Sequence, residues 1–327
     1  MSFGRFLLKR VLQGVVVVWG VITVVFLLRF ITPGNPVNVV APLDASPALR
    51  QQIAAELGLN QPLYAQYLDY LVGLLQFDMG YSYITRREAS AVVFARLPAT
   101  VELAVAATLV AVVLSIPLGV VSATRRHQPA DYGATTFSLL GISTPNFWLG
   151  IMLLLWFSVQ FDIFPVGGRS IAFSTAFWML FDGNLSGMTR WLSHIALPAI
   201  TLGTYFTALI TRLTRSGMLD ELGKSYVRAA RAKGIPETLV RYRHALRNTL
   251  IPVITVVGLQ LGTLIGGAVI TEAVFDWPGL GNTVINAVYA RDWPILQGSL
   301  IVIGIGFVLV NIVVDALYAY LDPRVID

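Results

Sequence analysis

The sequence predicts an all-α integral membrane protein with about six transmembrane helices and an extracytoplasmic segment between the first two. Three observations carry this expectation. The 327 residues are 56% hydrophobic and only 13% charged, where soluble domains carry about a quarter charged residues, and the mean hydropathy is +0.71. Six apolar windows, at 11–31, 98–123, 136–160, 191–211, 250–273 and 296–321, meet or approach the roughly 20 residues needed to cross a bilayer. Finally, the basic residues are one-sided. Fifteen of the 23 Lys and Arg fall before the first window, between the second and third, between the fourth and fifth, or after the sixth. The opposite side holds seven: Arg50, Arg86, Arg87, Arg96, Arg169, Arg190 and Arg291. Basic segments are retained in the cytoplasm, so both termini are expected there. The net charge of +5 is then mostly topology, not a nucleic-acid footprint.

The chain divides into a cytoplasmic N-terminus with span one (1–31), an extracytoplasmic segment (32–97) and a five-span domain (98–327) interrupted by a cytoplasmic link at about 212–249. Arg5, Lys9 and Arg10 precede an apolar run that is too long for a signal peptide and lacks a small-residue cleavage site, so it reads as a span. In the outer segment, Ser46-Pro47 supplies an N-cap with a first-turn proline, and Gly58 stands where a left-handed C-terminal residue is wanted. Asn60 and Pro62 open a second helix in which Leu63, Tyr67, Tyr70, Leu71 and Leu74 form an apolar face suited to packing over the spans or to a membrane interface. Residues 170–181 are apolar but short, as in an interfacial or re-entrant piece. Pro117, Pro145 and Pro198 are expected to interrupt spans two, three and four. Gly258, Gly262 and Gly266 give span five a flat face for close packing, which predicts that this span is buried.

The link between spans four and five is longer than a turn requires and is helix-forming, with a short basic element at 226–234. That pattern fits a docking element as well as an ordinary basic loop. Gly223-Lys224-Ser225 resembles the end of a phosphate-binding loop, but the glycine needed five positions earlier is Met218, so no nucleotide site is read here. His127, His194 and His244 lack metal-ligand spacing, and there is no cysteine. Of the acids nearest the windows, Glu272 and Asp276 are placed within reach of outer water and Asp315 near the inner boundary. Glu102 falls in the first turns of a helix, where the dipole favours it.

Several strings together carry a resemblance: Pro33-Gly34-Asn35-Pro36, Leu57-Gly58-Leu59-Asn60-Gln61-Pro62, Leu97-Pro98-Ala99-Thr100-Val101-Glu102-Leu103, Trp277-Pro278-Gly279-Leu280-Gly281 and Leu321-Asp322-Pro323-Arg324-Val325. In order and spacing, over nearly the whole chain, they resemble permease subunits of type I ABC importers in the dipeptide, oligopeptide and nickel branch. The resemblance implies a prokaryotic plasma-membrane protein that forms half of a translocation pathway. It implies as partners a second related permease, two ATPase subunits and an extracytoplasmic binding protein, with the lipid bilayer around it and no nucleic acid. ATP and Mg would belong to the ATPases; no cofactor, metal or catalytic residue is expected in this chain.

By the same resemblance the link carries a Glu-Ala-Ala-type motif that inserts into the ATPase. Ala229, Ala230 and Gly234 match its core, Arg228 stands in place of the glutamate, and Lys233 flanks it. Downstream, where the general motif has Ile, Leu and Pro, this chain has His244, Leu246 and Arg247, so only the leucine is kept. Arg231 and Lys233 are expected to meet acidic surface on the partner. Pathway candidates are Ser143, Thr144 and Asn146 around Pro145 with Gln260 in span five, which offer hydrogen bonds without a fixed charge; Thr255 and Thr263 fit helix packing equally well. Peptide is the leading cargo, with nickel or oligosaccharide as runner-up. A proton-coupled secondary transporter leaning on Glu102 or Asp315 and a membrane enzyme are the more distant readings.

Overall fold

The computed structural model describes residues 3–31, 36–42 and 44–321. Most of Pro33–Pro36 and of Leu321–Val325 therefore lies outside the described residues. The chain opens with α1 (Phe3–Ile31), followed by α2 (Val37–Val40), α3 (Pro47–Glu56) and α4 (Leu63–Leu75). Then come α5 (Ala89–Thr124), α6 (Pro129–Ser143) and α7 (Asn146–Leu153), which continues as a π-helical turn, Leu154–Gln160. After α8 (Phe173–Phe181) and α9 (Ser186–Leu222) lie the short α10 (Ser225–Ala232) and α11 (Glu237–Leu239). A second π-helical turn, Val240–Leu246, leads into α12 (Arg247–Gly267), and α13 (Val269–Val274), α14 (Leu280–Ala290) and α15 (Trp293–Leu321) complete the order.

Local signals in the sequence set several of these ends. The Ser46 hydroxyl accepts from Leu49 N–H at 3.3 Å, a first-turn proline follows, and Gly58 has φ +68°. The bonds Gly58 N to Ala55 O and Leu59 N to Ala54 O are the paired C-terminal bonds of a Schellman ending. Pro145 breaks the third crossing: α6 and the α7 helix with its π turn meet at 105°. Pro117 and Pro198, by contrast, lie inside the continuous helices α5 and α9, correcting the expectation that they interrupt their spans. Inside a bundle, neighbouring helices hold the backbone together around a proline.

Five helices are long and apolar enough to cross a membrane, and the bent pair makes a sixth crossing. The register along α9 shows that this pair is one traverse. Arg215 of α9 pairs with Asp131 at the start of α6, a Cβ on Gly141 would meet Ala208, and one on Gly150 would meet Thr201. The chain then reaches Arg169, which pairs with Glu102 near the opposite end of α5. Contacts advance steadily along the bundle, as in a crossing and not a return.

α5 and α9 run parallel and in intimate contact. Cβ atoms built on Gly119 and Gly203 would lie 2.5 Å from Thr214 Cβ and 2.9 Å from Ala107 O, so the two backbones approach as small residues allow. Around this seam lies the main core, including Leu103, Ala107, Ala111, Leu202, Phe206 and Ile210. α9 is the central helix: its most apolar window is 67% buried, against 28% for the span containing α12. The glycine face of span five does pack on α15, tightly at Gly258, where an added Cβ would meet Val314 at 2.5 Å. It does not make span five the buried one. α1 lies on α15, joined by an Arg10 to Asp315 ion pair of 3.1 Å and by Gln297 Nε2 donating to Val25 O.

α5 begins nine residues before the predicted window. Its first turns are not lipid-like in sequence, but Ala89 packs with Ala287 and Ile295, and Val93 with Leu280 and Val302. The short apolar piece is α8, laid on α9 through Phe173 and Trp191 with ring centroids 5.0 Å apart.

Candidate functional site

The link between α9 and α12 is a clamped hairpin, not a free loop. α9 continues as helix to Leu222, and a helical path resumes at Glu237 and runs into α12, so the separate part is Gly223–Pro236 with α10 at its centre. Gly223 closes α9 and Lys224 caps α10, which explains the phosphate-loop look-alike as punctuation between helices. Gly234 has φ +75° with no atom near its missing Cβ. Gly234 N donates to Arg231 O and Ile235 N to Ala230 O, again a Schellman ending, with Ile235 packed beside Ala230. The glycine is required for the turn rather than for close contact within the chain.

Three residues not singled out by the sequence fasten α10 to both flanking spans. Glu221, at the end of α9, accepts from Tyr226 Oη at 2.5 Å and Lys224 Nζ at 2.5 Å. Asn248, in the first turn of α12, donates to Tyr226 Oη at 3.1 Å. Burial first, and then its hydrogen bond to Glu221, push the Tyr226 phenol above its ordinary value, so it stays a neutral donor. On the other limb, Arg231 forks onto Glu237 at 2.9 and 3.1 Å, and Arg241 joins the same carboxylate. Arg231 is thus engaged within the hairpin while staying exposed.

The expected coupling residues divide by face. Arg228, Ala229 and Lys233 are exposed, as is Gly234. Ala230 is buried at 8% exposure between Val227 and Val240. Leu246 packs inward against the group formed by Val120, Ala123, Met218 and Ala245. Ala230 thus faces into the hairpin, and the half-buried Leu246 faces the ends of α5 and α9. Arg228, Lys233, Arg243 and Arg247 make no ion pair among the described residues. The result is a small basic surface on a rigid mount.

The same end of the bundle carries a second fastening. Asp131, 3% exposed, accepts from Ser122 Oγ at 2.6 Å, His127 N at 3.0 Å and both ends of the Arg215 fork. α5, α6 and α9 are tied there by one carboxylate.

At the other end, two of the sequence strings meet. Glu272 is fully buried, correcting the expectation that it reaches water. Its carboxylate accepts from Thr100 Oγ1 at 2.7 Å and Asn282 N at 3.0 Å, while Thr100 Oγ1 itself accepts from Leu280 N at 2.7 Å. Together they satisfy the otherwise unpaired amides at the start of α14. A Cβ on Gly279 would fall 2.2 Å from Glu272 Oε1, so the glycines of Trp277–Gly281 make room for the carboxylate. Trp277, completely buried, donates to Ala99 O at 2.8 Å. Three residues after Ala99, Glu102 receives the Arg169 fork at 2.5 and 3.0 Å and Phe173 N at 2.9 Å. The paired Glu102 has a structural role in joining α5 to the 161–173 segment.

Of the pathway candidates, Ser143, Thr144 and Asn146 occupy the break between α6 and α7. Ser143 is exposed and the other two half-buried, with Thr144 Oγ1 donating back to Leu140 O. Gln260 is half-buried on α12, its Oε1 accepting from Thr263. α7 packs chiefly on α9 and α13, so the structure does not bring the two groups together within one chain. Thr255 and Thr263 donate to carbonyls of their own helix.

A multi-span helical bundle with a clamped basic hairpin at one end is the architecture of a membrane subunit built to meet a partner. Residues 115–327 match the family model described as "Binding-protein-dependent transport system inner membrane component", and residues 3–104 match the corresponding N-terminal model. The chain belongs to this family, as an ABC importer permease subunit of the dipeptide, oligopeptide and nickel branch. Among its relatives, the dipeptide transport system permease protein DppB of Escherichia coli (strain K12) is 39% identical, covering 98% of each chain. The oligopeptide transport system permease protein AppB of Bacillus subtilis (strain 168) is 38% identical, also over 98% of each. The di/tripeptide transport system permease protein DppB of Pseudomonas aeruginosa (strain UCBPP-PA14) reaches 43%, over 94% of each.

Proposed function

We propose that this chain carries di- or oligopeptides as one half of the pathway of an ATP-driven importer, with both termini and the α10 hairpin on the cytoplasmic side. Its partners are a second related permease, two ATPase subunits that bind ATP and Mg, and an extracytoplasmic binding protein. It breaks no bond of its cargo and holds no cofactor of its own. The exposed Arg228, Ala229, Lys233 and Gly234 form the surface that meets the ATPase, mounted on Ala230, while Leu246 packs at the neighbouring ends of α5 and α9. Ser143, Thr144, Asn146 and Gln260 line the route where the two permeases face each other. The observation that carries this reading is the Glu221–Tyr226–Asn248 clamp. A helix fastened to two spans at once turns movement of a docked partner into movement of those spans, as alternating access requires.

The test is peptide uptake and ATP hydrolysis in proteoliposomes holding the complete transporter. Tyr226→Phe removes the clamping hydroxyl and leaves the docking surface intact; hydrolysis should persist while uptake per ATP falls several-fold. Gly234→Trp should prevent the ATPase from docking. Wild-type uptake per ATP in both variants would refute the assignment.

A further inference from the structure

On the side of the bundle that carries residues 36–88, a cavity of about 650 Å³ lies between α1, α4 and the 78–86 loop. Two polar atoms on its wall are buried and have no partner among the described residues, Arg29 Nη2 and Tyr70 Oη. Native structures seldom leave such groups unmet, and a guanidinium less often than a hydroxyl. Arg29, Tyr70 and Tyr83 all line this one cavity. A cation flanked by phenolic donors is a receptor for an anion.

The depth of the cavity says which anion. Arg29 is nineteen residues beyond Arg10 on one continuous helix, a rise of about 28 Å, close to one hydrocarbon thickness of about 30 Å. With Arg10 at one boundary, Arg29 stands at the headgroup level of the opposite leaflet. α4 is set beside it at the same depth, since Tyr67 and Tyr70 pack on Phe26 with centroids 5.1 and 5.5 Å apart and the Tyr67 and Thr23 hydroxyls lie 2.7 Å apart. The other face of α4 exposes Tyr64, Leu68, Val72 and Leu75 in one stripe, the pattern of a helix lying in the interface. Asp69, Asp78 and Arg86 also border the cavity; with Arg29 its fixed charges balance, so a singly charged lipid diester is accommodated at less cost than a dianionic free phosphate.

We infer that this cavity is a phospholipid site, with Arg29, Tyr70 and Tyr83 holding the headgroup phosphate at the level where α4 lies in the interface. The test uses the complete transporter in nanodiscs containing a photoactivatable phosphatidylglycerol, with crosslinks to the 63–86 segment quantified by peptide mass spectrometry. Wild type should crosslink there, and Arg29→Gln should reduce the yield by about tenfold, the loss of one charge-assisted contact. Tyr70→Phe keeps the ring on Phe26 and removes only the unpaired hydroxyl, so it should give an intermediate yield in a fully assembled complex. Excess inorganic phosphate or dipeptide should not compete. Equal crosslinking by wild type and Tyr70→Phe, or displacement of the probe by phosphate or by dipeptide, would overturn the inference.

Discussion

Single carboxylates in this chain do the work of long-range fasteners. Glu272 is the clearest, because it is buried without a cation and survives on donors alone: the Thr100 hydroxyl and the first amides of α14. Replacing it with alanine strands those donors, and each stranded group costs about 1–3 kcal/mol. Glu272→Ala should therefore lower the thermal unfolding temperature of the detergent-solubilised complex markedly. Gly279→Ala, which sets a methyl against the same carboxylate, should produce a loss in the same direction. Unchanged melting of Glu272→Ala would show that the amides of α14 are satisfied in another way. None of this was visible in the sequence, since Thr100 and Glu272 stand 172 positions apart. An acid at the end of an apolar window reads as hydrated until its partners are known. Gly234 and Ser46 were legible, because a cap is completed within a few residues of itself.

At the level of helices, the α5–α9 seam depends above all on shape, with the Thr211 hydroxyl donating to Ser115 O across it at 3.4 Å. Gly119→Leu places a branched side chain against Thr214 and Thr211, where even a methyl is crowded; overpacking of this kind costs about 1–3 kcal/mol. The expected outcome is a lower yield of assembled, monodisperse complex, whereas Val113→Leu on the exposed side of the same helix should assemble normally. If Gly119→Leu assembled as well as Val113→Leu, the close approach would be dispensable. The small residues Ala107, Ala111, Ser115 and Gly119 recur at four-residue spacing, so this seam could have been read from the sequence, just as the Gly258 face was. The start of α5 could not. Residues 89–97 include Arg96 and do not score as a span, and they are helical because α14 and α15 cover them.

For the molecule as a whole, the basic asymmetry and the register of contacts along α9 lead to one arrangement, which cysteine labelling can check on a chain with no native cysteine. Cysteines at Arg50 and Arg169 should react with an impermeant reagent in intact cells, and one at Lys224 only after permeabilisation. Reaction at position 224 from outside would invert the topology. Within that arrangement the length of α9 has a mechanical consequence. Its 37 residues span about 55 Å, nearly twice the hydrocarbon thickness, and neither Pro198 nor any gap divides it. One tip sits in the Glu102 and Arg169 junction and the other holds the α10 clamp. It is a stiff strut with its fulcrum inside the membrane: tilting it by about 5° displaces each tip by roughly 2 Å, in opposite directions. In the proposed importer such a strut would narrow one mouth as it widened the other, so the stiffness of a single helix would keep the two ends of the route from being open together.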